Sequence, residues 1–474
     1  MLRFAPLLFI IFIEGYAVLA SELIAIRGLI SYVGNGSDIV SIIIAGVLLP
    51  LAAGYYYGGM TAHNRKPVRA RLIRNFTLAL LFLVLGLSPV GMDTFFMGLS
   101  EIGITNRLLL APLYVLVFLI PPTFLLGQTI PLSARLFRDQ TASRIAGHTL
   151  LWSTVGSFLG SIFSTLVLMA FFGVHVAVLF VAILLLIAIA MLNRKLTLRT
   201  MGVPALLVLV CLLLNASFIF SAAHIYYQNQ YNTARILTTP KNDSKLLSLN
   251  KAPSAGYNPT TDGAFPSITQ AEELLLKPLL EAEPKRDILV LGAGGFTFGR
   301  NDTHNHYTYV DIDPDLKELT EKFFLQKTLT ANKKFVPEAA RAFLVDALRE
   351  GKKFDLVYID AFNGEMWVPE DLVTQDFFGQ VREVLKPDGI ASANMVLNPT
   401  YADDYSRNLD HTFDSVFPAT LRFPVTMVDV WSKSPDYRLN VLYIGFKAAS
   451  EKAVSTYTDN KNRVFWDKPL NRNR

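Results

Sequence analysis

The chain has 474 residues, 51% hydrophobic and 18% charged, with a mean hydropathy of +0.35. Soluble domains carry about 25% charged residues, so a wholly water-borne chain is excluded and a large part belongs in lipid. The net charge of +5 does not call for nucleic acid, because lysines and arginines gather in short links between apolar runs, and the single cysteine, Cys211, excludes an internal disulfide and a cysteine-based zinc site.

Apolar stretches near 4–30, 38–60, 75–92, 108–130, 150–171, 174–192 and 202–222 each approach the roughly 20 residues needed to cross a bilayer. They predict a transmembrane helical domain over 1–222 with about seven spans, the fourth interrupted by Pro121, Pro122 and Pro131. Arg3, the apolar run and Val18–Ala20 imitate a signal peptide. Glu14 inside that run, and the apolar pattern resuming after Ala20, favour a retained helix. The links at 65–74, 135–144 and 193–199 are cationic and are expected on the cytoplasmic side; those at 31–37, 93–105 and 172–174 carry almost no positive charge and face the other way. An odd span count then puts the soluble part outside, and a fourth run that breaks or re-enters would change the count by one, so the sequence leaves its face open.

Glu14, Glu22 and Arg27 fall within the first span. A charge at mid-membrane costs about 3 kcal/mol or more, so such residues face protein or water. Pairing with a neighbour such as the Ser153–Thr154 region and a role in transport or substrate handling are the two readings. Gly54/Gly58 and Gly156/Gly160 are small pairs four apart that allow close helix approach.

Residues 223–260 alternate and carry turn signals, predicting a small antiparallel β element. From 261 to 474 a helix at 270–281 leads into DILVLGAGGFTFGR and then YTYVDIDP. Further elements follow: a helix over 315–326, a strand near 334–337, a helix over 338–350, strand 354–362, helix 375–385, strand 389–396, and a closing pair near 420–430 and 438–446. Alternating β and α ending antiparallel predicts an α/β Rossmann domain of the class I methyltransferase type.

The first strand of that domain breaks into Gly292, Gly294 and Gly295, and the second ends on Asp311 and Asp313. A strand-to-helix turn needs glycine where backbone meets a nucleotide, and an acid about twenty residues on can hold ribose hydroxyls. Asp360 closes the fourth strand, at the sheet edge where ligands bind in open α/β sheets, and a loop with Gly364, Trp367 and Pro369 follows as a candidate lid.

GYAVLASELIAIRGLISYVGNG, PPTFLLGQTIPLSARL and AGHTLLWSTVGSFLGSIFS resemble blocks of the membrane-fused branch of the spermidine synthase-like, or polyamine aminopropyltransferase, family. DAFNGEMWVPEDLVTQDFF resembles its catalytic strand and gatekeeping loop. The resemblance implies an aminopropyl transfer from decarboxylated S-adenosylmethionine to a small-molecule amine. Asp360 would be the catalytic base, Glu338 and Ala339 would lie at the adenine, and Tyr231 and Asn363 at the acceptor. It implies no permanently bound cofactor and no metal.

Departures are part of that reading. Gly295–Phe296 replaces a turn aspartate, Ala339 the adenine-contacting aspartate, Asn363 the second acid of the amine pocket, and Asn232 a glutamine. Losing acids weakens the case for a dication such as putrescine. S-adenosylmethionine-dependent methyl transfer is the rival reading, although Val290 and Leu291 stand where such enzymes carry an acid. A non-catalytic nucleoside-binding membrane protein is the third. The expected partner surface is the lipid of the inner (cell) membrane, with homo-oligomerisation left open.

Overall fold

Residues 5–34, 36–61, 67–137, 141–193, 195–216, 224–239, 243–265, 267–361, 369–425 and 438–448 are described by a computed structural model. The first half is built from helices α1 (Ala5–Val33), α2 (Ser37–Thr61), α3 (Val68–Leu87) and α4 (Pro89–Glu101), then α5 (Arg107–Ala134), α6 (Ala142–Phe172), α7 (Val174–Leu192) and α8 (Leu198–Leu214). Six of these are long and apolar enough to cross a membrane; α8 is apolar but has 17 residues. Their outward leucines, among them Leu48 and Leu49 on α2 and Leu206, Leu209 and Leu213 on α8, are exposed, as lipid-facing side chains are. The interrupted fourth run is a single helical stretch whose prolines are absorbed through a π-helical segment, Val115–Leu119.

Two boundaries differ from expectation. The run expected at 75–92 is α3, which ends at Leu87, and a further helix, α4, occupies much of the connection expected at 93–105. Ser88 stops one and starts the other: its hydroxyl accepts from the Gly91 amide at 3.1 Å, and Pro89 fills the first helical position.

Close approach of α1 and α6 follows from their glycines. A Cβ on Gly156 would lie 2.1 Å from the Phe12 carbonyl oxygen, and one on Gly160 2.5 Å from that of Tyr16. The expected pairing of Glu14 is present: Ser153 Oγ donates to Glu14 Oε2 at 3.0 Å, with both residues buried.

The soluble half opens with a five-stranded antiparallel sheet, β1 (Ile225–Gln228), β2 (Thr233–Thr238), β3 (Lys245–Leu249), β4 (Ala252–Asn258) and β5 (Gly263–Phe265). Helix α9 (Ser267–Leu280) leads to β6 (Asp287–Leu291), β7 (His306–Asp311), α10 (Leu316–Phe324) and β8 (Lys333–Pro337). The chain goes on through α11 (Ala340–Arg349), β9 (Phe354–Ile359), α12 (Gln375–Val384), β10 (Leu385–Leu397), α13 (Asp404–Asp414), β11 (Ala419–Pro424) and β12 (Leu439–Phe446). The sheet order is β11-β12-β10-β9-β6-β7-β8; β10-β9-β6-β7-β8 is parallel, and β12 runs antiparallel between β10 and β11. This is the doubly wound sheet expected from the β–α alternation. Helix α13 was not expected.

Apolar cores cover both faces of this sheet. Phe343, Phe377, Phe378 and Phe413 pack on one side. On the other, Ile236, Leu247 and Tyr257 of the small sheet join Leu276, Ile288, Val290 and Phe324. The small sheet is thereby fixed over the glycine-turn side of the domain, with Ser254 and Ala255 against Gly294 and Gly295.

The charge-poor links all meet the soluble half. Ser37 donates to Glu370 Oε2 at 3.2 Å, Asp93 pairs with Lys251, and a Cβ on Gly173 would lie 2.7 Å from the Gln228 carbonyl oxygen. The ends of α1, α3 and α8 and the start of α7 line one crevice with β1 and β2, through Tyr32, Leu87, Asn215, Val174, Gln228 and Arg235. The soluble half thus sits at the end of the bundle opposite the cationic links.

Candidate active site

Strand register builds the site around Gly292. Leu291 lies between Val310 of β7 and Ile359 of β9, so the next residues along, Asp311 and Asp360, flank Gly292 on either side. The acids are two strand spacings apart, roughly 10 Å. The Gly292 amide donates to the Val310 carbonyl at 2.9 Å, and that of Asp360 to Leu291 at 2.9 Å.

Gly292 has φ +92°, and a Cβ there would meet the Asp360 carbonyl oxygen at 2.3 Å. Gly292→Ala is therefore expected to destabilise the domain. The backbone conformation alone costs about 1–3 kcal/mol, and the strand end carrying Asp360 must shift. A lowered melting temperature, with activity lost further than stability, is the measurement that checks it. Gly295 leaves no room either, because a Cβ would lie 2.5 Å from Ala255 Cβ and Phe324 Cε1.

Asp311 turns back onto the glycine turn. Its Oδ2 accepts from the Ala293 amide at 3.0 Å and its Oδ1 from the Asp313 amide at 3.1 Å. Burial lifts its carboxyl to about 6; the amide hydrogen bonds oppose that shift, and the nearby charge of Asp313 adds to it. Asp360 is held by Asn394 Nδ2 at 2.9 Å and by the Tyr358 hydroxyl at 3.2 Å. Burial raises its carboxyl above the usual range, and the two hydrogen bonds oppose that shift. A carboxylate fixed on both oxygens, with an elevated proton affinity, is suited to orient a donor group and take its proton.

The other expected site residues are distributed unevenly. Glu338 and Ala339 follow β8 on the same sheet edge, and the Glu338 amide donates to the Asp311 carbonyl at 2.8 Å. Tyr231 is in the β1–β2 turn, its amide bonded to Asn229 Oδ1 at 2.9 Å. Asn363, Gly364 and Trp367 lie outside the described residues.

Asn232 is taken up internally, donating to Asp313 Oδ2 at 2.7 Å. Asp313 is fully buried and also accepts from the Tyr227 hydroxyl at 2.6 Å and Asn229 Nδ2 at 2.8 Å. Burial, then the Asp313 charge, keeps the Tyr227 hydroxyl protonated. Sequence reasoning did not single out Tyr227, Asn229, Tyr358 or Asn394. Asn394 had a signal, being with Ser392 one of two polar residues in the mainly apolar run 390–397.

Residues 270–437 match the family described as spermine/spermidine synthase domain. Among curated relatives, the polyamine aminopropyltransferase of Vibrio vulnificus is 29% identical over 151 residues, 31% of this chain and 48% of that protein. The polyamine aminopropyltransferase of Pyrobaculum aerophilum is 33% identical over 128 residues, 25% of this chain and 44% of that one. The chain spans about half the length of the curated relatives it matches. A solved structure of a probable spermidine synthase from Corynebacterium glutamicum is 20% identical, covering 47% of this chain and 79% of that chain at a TM-score of 0.40. Residues 270–437 of the soluble half are thus similar to a spermine/spermidine synthase domain, and a bundle of apolar helices precedes them.

Proposed function

We propose that the chain is a membrane-bound transferase that moves an aminopropyl group from decarboxylated S-adenosylmethionine to an amine. The observation that carries this reading is the register that sets Asp311 and Asp360 on either side of Gly292. The names of the curated relatives support it. Asp311 would take the ribose hydroxyls, with Gly292 and Gly294 letting the backbone approach the nucleoside and Glu338–Ala339 beside the base.

The amine nitrogen attacks the methylene carbon next to the sulfonium. The N–C bond forms as the C–S bond breaks, and the electron pair leaves on neutral methylthioadenosine. The proton released by the new ammonium goes to Asp360. Positioning of nucleophile and sulfonium supplies much of the remaining acceleration. With Asn363 where the family carries a second acid, the acceptor is inferred to be an amine other than the dication putrescine, which needs local negative charge to offset its desolvation.

The test is incubation of the purified full-length protein with decarboxylated S-adenosylmethionine and a panel of amines. Amine-dependent release of methylthioadenosine is expected. Formation of S-adenosylhomocysteine from S-adenosylmethionine assigns methyl transfer instead, and nucleoside binding without turnover assigns a non-catalytic role.

We also place the soluble half on the non-cytoplasmic face. It contacts the charge-poor links, and cationic links stay in the cytoplasm. Alkaline phosphatase fused after Arg474 is expected to be active, and a fluorescent protein folding only in the cytoplasm is expected to stay dark. The reverse pattern overturns the placement and leaves the transferase reading standing.

A further inference from the structure

We infer that Arg27, on membrane helix α1, is a positioning residue for the nucleoside site, so that the bundle forms part of that site's support. The inference rests on the reading of Asp311 as the nucleoside acid. Arg27 is 4% exposed, and its Nε donates to the Asn229 carbonyl at 2.8 Å and its Nη2 to Thr233 Oγ1 at 3.4 Å. These bonds join residues 202 and 206 positions apart, tying the membrane helix to the turn between β1 and β2.

That turn is closed by its own side chains. Asn229 Oδ1 accepts from the amides of Tyr231 and Asn232 at 2.9 and 2.8 Å. Its Nδ2 reaches Asp313 Oδ1 and Asp315 Oδ2, both at 2.8 Å, while Asn232 and Tyr227 cover the other Asp313 oxygen. The Asp313 amide then donates to Asp311 Oδ1. A continuous path of hydrogen bonds runs from Arg27 through Asn229 and Asp313 to Asp311.

Charge follows the same path. Asp313, fully buried, is the acid that this path reaches from Arg27 by way of Asn229. Removing the guanidinium takes a positive charge from the turn that holds Asp313, which then keeps only its hydrogen bonds from Tyr227, Asn229, Asn232 and the Asp315 amide. The guanidinium would be costly in lipid, and its cost is met here by the soluble domain rather than by another helix.

The experiment compares Arg27→Gln and Arg27→Lys in the full-length protein by hydrogen–deuterium exchange and methylthioadenosine binding. Arg27→Gln removes a charge from a membrane helix, which does not hinder insertion. About tenfold faster exchange is expected at the Ala293 and Asp313 amides, with strand β9 unchanged, together with about tenfold weaker nucleoside binding. Arg27→Lys, which keeps the charge, is expected to recover at least half of the protection, as a loss of packing alone would not allow. Unchanged exchange at both amides overturns the inference, and so does an equal acceleration across β9. A wild-type protein that binds no adenosyl thioether sinks the donor reading, while the exchange pattern still decides the role of Arg27.

Discussion

Asp360→Asn is expected to lower amine-dependent release of methylthioadenosine about 10²–10⁴-fold, the range associated with a positioned general base. Affinity for methylthioadenosine should stay within about twofold, because the substitution is isosteric and the nucleoside is held from the Asp311 side. The wild-type rate should rise with pH through the Asp360 pKa, since burial lifts that pKa and only the ionised acid can take a proton. That limb should vanish in the variant. Steady-state kinetics across pH, with binding measured separately, check both parts; an unchanged turnover number would remove Asp360 from the chemistry.

The second large effect is expected at the other acid. Asp311→Ala should weaken methylthioadenosine by about 10²–10⁴-fold, because two hydrogen bonds to a charged carboxylate contribute about 1.5–3 kcal/mol each. Its carboxyl titrates at about 6, above the ordinary value of 3.8. A ligand that donates to the ionised form should bind evenly above that pH and lose about tenfold per unit well below it. The sign for stability runs the other way in the empty protein. A carboxyl whose folded pKa is raised costs the fold stability once it ionises, so the ligand-free domain is penalised above pH 6 and relieved below it. The thermal shift caused by methylthioadenosine should therefore be larger at pH 7.5 than at pH 5. Equal shifts at the two values, or tight binding by Asp311→Ala, would place the nucleoside elsewhere.

Much of the architecture was legible before any coordinates. Runs of about 20 apolar residues announce spans because the bilayer core has a set thickness, and Ile288–Leu291 announces a strand buried on both faces. Helix α13 was legible too, though unread: Asp403 caps it by accepting from the Ser406 amide at 2.9 Å, and Leu409 and Phe413 bury one face four residues apart. The stop between α3 and α4 was written in Ser88-Pro89, which the apolar run around it concealed.

By itself the sequence determined the division into a half of long apolar helices and an α/β half, the glycine turn, and the two strand-end acids. All of these depend on spacings of a few residues, which backbone geometry converts directly into helices, strands and turns. Only the tertiary structure decided that Asp311 and Asp360 flank one glycine, that Asn232 is engaged on Asp313, and that Arg27 reaches a turn 202 residues away. A buried polar group is paired with whatever packing brings within about 3 Å. That choice depends on how whole elements meet, and local spacing carries no record of it.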